Sequence, residues 1–362
     1  MRVLTLVGNR PQFVKAAAVS RRLRAAHEEV LVHSGQHYDD ELSAVFFREL
    51  SLPAPDRQLG IGSGSDEQQV AGMMHAFEPV LGEVRPELVL VYGDTNTTLA
   101  GALSCARLGV SLAHVESGMR SWDWSMPEER NRVLTDHLSD LLLCSTQTAV
   151  ENLAGEGVAD PVELVGDVMA DVTLLMAPVA ERHSAALERY GVEAGRYLLV
   201  TAHRAGNVDD PEALDRLVEV LLALPLPVLF PVHPRTRARL ETTRLLGRLE
   251  EGEGLTLLPP LGYLDFLQLV RHARAVLTDS GGVQKEAYLL ETPCITLRDT
   301  TEWTETVALG WNRLAGLDRD RVLEALAHLD RPPRHPDLYG GGHAGEAVVE
   351  AIGRWAGRRE PA

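Results

Sequence analysis

Short apolar runs alternate with amphipathic stretches along the whole chain, and the alternation restarts once. Residues 2–7 (RVLTLV), 28–33 (EEVLVH), 87–92 (ELVLVY), 111–115 (SLAHV), 140–144 (DLLLC) and 162–165 (VELV) form the first series of runs. Stretches with helical periodicity fall between them, at 11–26, 66–84, 96–108 and 147–155. Strands that are apolar on both faces and separated by helices build a parallel sheet covered on both sides. The second series is 197–200 (YLLV), 227–231 (PVLFP), 255–258 (LTLL), 275–278 (AVLT) and 294–297 (CITL), with helices expected near 210–223, 262–271, 283–290 and 319–328. The pattern predicts an α/β protein of two Rossmann-like, doubly wound domains facing a cleft. The N-terminal domain covers 1–168 and the C-terminal one 172–343, joined near 168–172. A Pro/Gly loop at 332–343 precedes a last helix, 344–362, which packs back on the first domain. The length of 362 residues suits two such cores.

Composition removes several function classes. The formal charge of −17 disfavours nucleic acid and anionic membrane as partners. No apolar run approaches the ~20 residues that span a bilayer. The one short apolar run at the start stops at Gly8-Asn9-Arg10-Pro11, without a cleavage-site pattern, so no secretory signal is expected. Cys105, Cys144 and Cys294 lie far apart, with no metal-like spacing. They read as buried thiols in a reducing, cytoplasmic compartment. Lysine is nearly absent: Lys15 and Lys285 stand against 33 arginines. Both lie inside motif segments, and a compact ammonium does what a planar guanidinium cannot.

Open α/β sheets bind ligands at the carboxyl ends of their strands, and the chemistry-bearing segments all follow strands. Gly8-Asn9-Arg10-Pro11-Gln12 leads into a helix with Lys15 one turn on. It reads either as a plain strand-to-helix turn or as an anion site with two cations at a helix start. In Gly93-Asp94-Thr95-Asn96-Thr97, Asp94 is either the N-cap of helix 96–108 or a catalytic carboxylate. His114-Val115-Glu116-Ser117-Gly118-Met119-Arg120 is followed by Met126-Pro127-Glu128-Glu129-Arg130-Asn131-Arg132. There Pro127 and the acids have the form of a helix N-terminus. Asp94 and Glu116 end adjacent strands, and carboxylates gathered at one edge suit proton transfer. In the second series, Thr201-Ala202-His203-Arg204 and His233-Pro234-Arg235-Thr236 each follow a strand. So do Asp279-Ser280-Gly281-Gly282-Val283-Gln284-Lys285-Glu286 and Arg298-Asp299-Thr300-Thr301-Glu302-Trp303. Ser280-Gly281-Gly282 between strand and helix makes a backbone nest for a diphosphate, with Glu286 one turn on to accept from ribose hydroxyls.

Taken in order, with Val165-Gly166-Asp167 between the two halves, these motifs resemble the non-hydrolysing UDP-N-acetylglucosamine 2-epimerase family from residue 1 to about 350. The resemblance implies glycosyltransferase-B architecture, UDP held mainly by the C-terminal domain, a homodimer, and no metal or redox cofactor. It implies anti-elimination of UDP to a 2-acetamidoglucal and re-addition after protonation of the other face. Asp94, Glu116, Glu128 and His203 match the family's catalytic positions. Arg10, Lys15, His233, Ser280, Gly281, Gly282, Glu286 and Arg298 match its substrate-binding ones. Asn9 and Gln12 stand where Thr and Glu are usual, Gly206 where Glu is usual, and Trp303 where Arg is frequent. Gly35-Gln36-His37-Tyr38-Asp39 lacks the segment tied to activation by substrate, so no activator requirement is expected. Arg10-Pro11-Gln12-Phe13 and Thr301-Glu302-Trp303 resemble a subgroup acting on UDP-2,3-diacetamido-2,3-dideoxy sugars and their uronates. The competing readings are a hydrolysing epimerase, a glycosyltransferase of the same architecture and a non-catalytic nucleotide-sugar-binding protein.

Overall fold

The computed structural model describes residues 1–35, 54–62, 64–158 and 161–358, excepting the side chain of Arg10. The segment 36–39 discussed above therefore lies outside the described residues. The chain divides into two compact units, Met1–Val172 with Asp337–Ala362, and Thr173–Pro336.

In the first unit β1 (Arg2–Val7), β2 (Glu28–His33), β3 (Arg57–Gln58), β4 (Leu88–Tyr92), β5 (Leu112–Ser117), β6 (Leu141–Cys144) and β7 (Val162–Leu164) form one sheet in the order β3-β2-β1-β4-β5-β6-β7. Every pair is parallel. The central strands carry side chains buried on both faces, which is why they read as unbroken apolar runs. The strand order reverses between β1 and β4, so their carboxyl ends form the topological switch point. Helices among the described residues of this unit include α1 (Arg10–Ala26), α2 (Asp66–Val84), α3 (Asn96–Leu108), α4 (Pro127–Leu138), α5 (Gln147–Gly155) and the start of α6 (Val168–His183).

In the second unit β8 (Leu198–Thr201), β9 (Val228–Pro231), β10 (Leu255–Leu258), β11 (Ala275–Thr278), β12 (Cys294–Thr296) and β13 (Asn312–Leu314) pair in the order β10-β9-β8-β11-β12-β13, again all parallel. Its switch point lies between β8 and β11. The longer helices are α7 (Pro211–Leu222), α8 (Pro234–Thr242), α9 (Tyr263–His272), α10 (Gly281–Leu289) and α11 (Arg319–Ala327). Each unit is thus a doubly wound α/β layer structure.

Three local features differ from the sequence pattern. The short strands β3 (Arg-Gln) and β13 (Asn-Arg-Leu) carry polar residues instead of an apolar run, so the pattern does not show them. The joint read near 168–172 adjoins the division at Val172, but its residues are helical, the first turns of the continuous helix α6. Strand β5 runs two residues past Val115, through an irregularity that seats Glu116 with φ +72°. The last helix, α12 (Ala344–Gly357), packs on α1. Asp171 accepts from the Ala344 and Gly345 amides at 2.9 and 2.7 Å, supplying the cap that His343 does not. A Cβ on Gly345 would lie 2.3 Å from the Ala18 carbonyl oxygen, so only glycine permits this crossing. Among the described residues no helix is long and apolar enough to cross a membrane.

Candidate active site

At the first switch point the backbone is drawn tight. A Cβ on Gly8 would lie 2.1 Å from Thr97 Oγ1 and 2.3 Å from Ser34 Oγ. Asn9 caps α1 by accepting from the Gln12 amide, with Pro11 in the first turn. Gln12 is the buried hub. Its side-chain oxygen accepts from the Gly8 amide at 2.8 Å, and its side-chain nitrogen donates to Tyr92 O, Thr98 Oγ1 and Thr95 Oγ1 at 2.8, 2.9 and 3.0 Å. One side chain ties the end of β1 to the end of β4. Donating from one atom and accepting on the other is work a carboxylate cannot do.

The acids sort into distinct roles. Asp94 is not the N-cap of α3: that position belongs to Thr95, which makes no side-chain cap bond. The Asp94 carboxylate instead accepts from the Arg132 guanidinium, while its carbonyl accepts from Asn131 Nδ2 at 3.0 Å. Lys15 Nζ pairs with Glu116, both side chains about one-eighth exposed, at 12% each. Gly93 turns with φ +63°, and a Cβ there would stand 2.9 Å from Lys15 Nζ and 3.4 Å from Glu116 Oε2. Left-handed backbone at a glutamate costs on the order of 1–3 kcal/mol and persists where the surroundings hold it. Glu128, at the start of α4, is exposed. Its neighbour Glu129 is buried and accepts from Ser121 N, Trp122 N and Ser121 Oγ. Glu129 therefore anchors the 121–122 turn.

Behind these acids lies a buried network that sequence reasoning did not find. His114 Nδ1 is 2.7 Å from Asp136 Oδ1, and its Nε2 is 2.7 Å from the Gly93 carbonyl oxygen. Asp136 Oδ2 accepts from Gly118 N at 3.1 Å and Arg120 Nη1 at 2.7 Å. Arg120 also forks onto Glu156 at 2.6 and 2.8 Å. Burial alone would push the Asp136 carboxyl up, but His114 and Arg120 outweigh it and hold it below its ordinary range. The signal in the sequence is helical spacing: Arg132 and Asp136 are i,i+4 on α4, one turn apart on one face.

At the second switch point Asp279, fully buried, accepts from the His203 and Arg204 amides at 3.0 Å each and from Asn207 Nδ2 at 3.1 Å. His203 stays 41% exposed, with Nδ1 3.7 Å from Asp279, and stacks on His233 at 5.4 Å between centroids. His233 caps α8, accepting from the Arg235 amide at 3.2 Å. Ser280 is the N-cap of α10 but makes no side-chain cap bond. The first-turn amides of α10 therefore keep their capacity for an anion. A Cβ on Gly281 would meet Trp303 Nε1 at 3.2 Å, whereas Gly282 has nothing nearer than Ser280 Oγ at 3.8 Å. Lys285 is buried, its Nζ 4.2 Å from the Trp303 ring centroid. Glu286 is buried on the same helix. Arg298 forks onto Glu302 with two 3.1 Å contacts. Burial raises the Glu302 carboxyl, but Arg298 and Arg204 with a backbone hydrogen bond together outweigh that and hold it below its ordinary value. Around Gly206 a side chain would meet open space.

The structure thus brings Lys15, Gly93 and Glu116 together, and Asp94 with Arg132. In the other unit it joins His203, His233 and Asp279, and sets Lys285 on Trp303 beside Gly281. The Arg10 side chain lies outside the described part of the structure.

A sequence model of the family described as UDP-N-acetylglucosamine 2-epimerase matches residues 21–353. The chain is 44% identical, over 97% of its length and 99% of the relative's, to a UDP-N-acetylglucosamine 2-epimerase homolog of Methanococcus maripaludis. It is 43% identical, over 98% and 100%, to the UDP-2,3-diacetamido-2,3-dideoxy-D-glucuronate 2-epimerase of Pseudomonas aeruginosa. Its fold superposes on the crystal structure of Methanocaldococcus jannaschii UDP-GlcNAc 2-epimerase in complex with UDP-GlcNAc and UDP, with TM-score 0.92 and 38% identity over 98% of this chain and 100% of that one.

Proposed function

The chain belongs to the UDP-N-acetylglucosamine 2-epimerase family, and we propose that it is a non-hydrolysing isomerase interconverting UDP-GlcNAc and UDP-ManNAc. The observation that carries this is the pairing at the ends of β4 and β5: two carboxylates, Asp94 and Glu116, each held by one cation. The C2 proton of a sugar is barely acidic, so its removal needs a positioned carboxylate and a leaving group that departs as the C2–H electrons form the double bond. UDP is that leaving group. Anti-elimination gives UDP and 2-acetamidoglucal; protonation of the opposite face at C2 and return of the UDP oxygen to C1 gives the epimer. Asp94, Glu116 and Glu128 are the proton-transfer set. His203 and the Ser280-Gly281-Gly282 turn carry the diphosphate charge, with His233, Arg298 and the cations Arg10 and Lys15 as further binding groups and Glu286 at the ribose. The enzyme acts as a cytoplasmic homodimer without metal or redox cofactor. The three buried, unbridged cysteines fit a reducing compartment.

A second substrate class has a specific observation in its favour. The diacetamido-glucuronate epimerase is nearly as similar as the acetamido homolog, 43% against 44% identical, and Gln12 and Trp303 sit in the segments that resemble that subgroup. The test is incubation with each UDP-amino sugar in D2O, followed by NMR. Deuterium at C2 with the second UDP-sugar appearing is the expected result. Free sugar plus UDP would make the enzyme hydrolysing, and no exchange with any UDP-amino sugar would overturn the assignment.

A further inference from the structure

The buried His114 poses a question of proton count. Its ring has no exposed surface, and both nitrogens face oxygen at 2.7 Å. A carbonyl oxygen only accepts, so the contact with Gly93 O requires a hydrogen on Nε2. At the other nitrogen one proton lies between Asp136 Oδ1 and Nδ1. Asp136 Oδ2 accepts from the Gly118 amide and from Arg120, the pattern of an ionised carboxylate, which has no hydrogen to give.

We propose that His114 is a buried imidazolium with N–H on both ring nitrogens, and that it acts as a positioning residue. It locks the Gly93 turn before Asp94 and, through Asp136, the Gly118 turn after Glu116. The charge is balanced within the network, because Asp136 and Glu156 oppose His114 and Arg120. Asp136 from α4 meets the ring; Arg120 from the loop after β5 pairs with Asp136, and Glu156 at the end of α5 pairs with Arg120. Lys15 from α1 reaches the far side of Gly93, where it pairs with Glu116. A charged donor makes the Gly93 contact roughly twice as strong as a neutral one. That suits a carbonyl one residue before an acid whose placement sets the rate.

The test separates charge from packing. In Asp136→Asn the amide nitrogen donates to Nδ1 and the amide oxygen still accepts from Gly118 and Arg120. The ring then keeps its bond to Gly93 as a neutral tautomer. Full-length protein labelled with 15N-histidine is examined at about pH 8, where a solvent-exposed imidazole is neutral, and His114 is assigned by the resonances lost in His114→Gln. The expected wild-type spectrum has two slowly exchanging ring N–H groups on His114, and the Asp136→Asn spectrum has one. The same variant loses about tenfold in kcat, because the Gly93 bond stays in place but gives up its charge-assisted strength, with KM little changed. A single N–H in the wild type overturns the imidazolium. Two N–H groups together with wild-type kcat in Asp136→Asn overturn the positioning role. The kcat arm rests on the epimerase reading; the spectroscopic arm uses no substrate, so the two failures are distinguishable.

Discussion

The two switch points share one topology and use a strand-end aspartate in opposite ways. After β4, Asp94 meets a side-chain cation, Arg132, and its neighbour Glu116 meets Lys15. After β11, Asp279 accepts backbone amides from the turn after β8 and leaves His203 projecting, 41% exposed. The first region is charge-matched by its own side chains. The second uses its buried acid to hold the backbone of the turn, which leaves the His203 ring partly exposed. The two lysines repeat the contrast, Lys15 lying against a carboxylate and Lys285 over an indole face. A fold supplies strand ends; the partners given to each acid set what that end can do, and the proposed function assigns proton transfer to the first and anion binding to the second.

From this contrast, side-chain changes at the acids and cations of the first region should reduce kcat, and changes in the second should weaken UDP binding. The largest effect is expected from Glu116→Gln, which keeps shape and removes the charge. Its kcat should fall about 10²–10⁴-fold, the usual contribution of a general acid or base, with UDP affinity by calorimetry close to wild type. Equal loss of both would break the comparison. Lys15→Arg comes next. The ammonium already stands where a Cβ on Gly93 would come within 2.9 Å, and a guanidinium is wider and planar. We expect kcat down about 10–100-fold by the same sensitivity of reacting groups to misplacement. Lys285→Arg is its counterpart. Arginine also stacks on aromatic faces, so turnover within a few-fold of wild type is expected there.

Glycines sharpen the same division. Gly8→Ala would press a methyl into Thr97 Oγ1 and Ser34 Oγ, at 2.1 and 2.3 Å. Both oxygens are buried and hydrogen-bonded to each other, so the loss should appear as stability, about 1–3 kcal/mol by denaturant melts. Gly281→Ala meets Trp303 Nε1 at a milder 3.2 Å. Its methyl stands at the first turn of α10, so UDP affinity should drop about tenfold while the melting midpoint hardly moves; a tenfold loss is ~1.4 kcal/mol of binding.

Much of this was legible in the sequence, for identifiable reasons. Continuous apolar runs between helical stretches fixed two parallel sheets, because a strand covered on both faces has no polar side to show. Gly8, Asp94, Glu116 and Ser280 stood out because each follows such a run. What stayed hidden was pairing. Asp94 has the spacing of an N-cap, and nothing local distinguishes it from one; only folding brings Arg132 of α4 to it. His114 lies inside an apolar strand and reads as a core residue until Asp136 and the Gly93 carbonyl are in place. Glu128 and Glu129 look alike in the first turn of α4, yet one is exposed and the other holds the 121–122 turn. The α6 helix was missed because Val168–Val172 reads equally well as a linker between two series.

The smallest expected effect separates buried from surface pairing. Asp209 at the end of the 205–208 turn takes Arg235 and Arg239, and its side chain is 29% exposed. The Arg235 hydrogen bond outweighs a little desolvation and holds its carboxyl below the ordinary range. Asp136 is depressed too, from a fully buried position. In both cases the folded chain binds the proton less readily than the unfolded chain. Each pair therefore stabilises fully above the ordinary aspartate range near ~3.9 and loses that contribution as pH falls through the depressed folded value. Asp209→Asn should lower stability at neutral pH by about 0.5 kcal/mol, and by less in 1 M salt, because surface pairs are screened. The acid-unfolding midpoint should stay near wild type in Asp209→Asn and move in Asp136→Asn, whose buried partners cannot be replaced by salt ions. A large, salt-insensitive loss in Asp209→Asn would mean that the second unit, like the first, depends on side-chain ion pairs to hold its switch point.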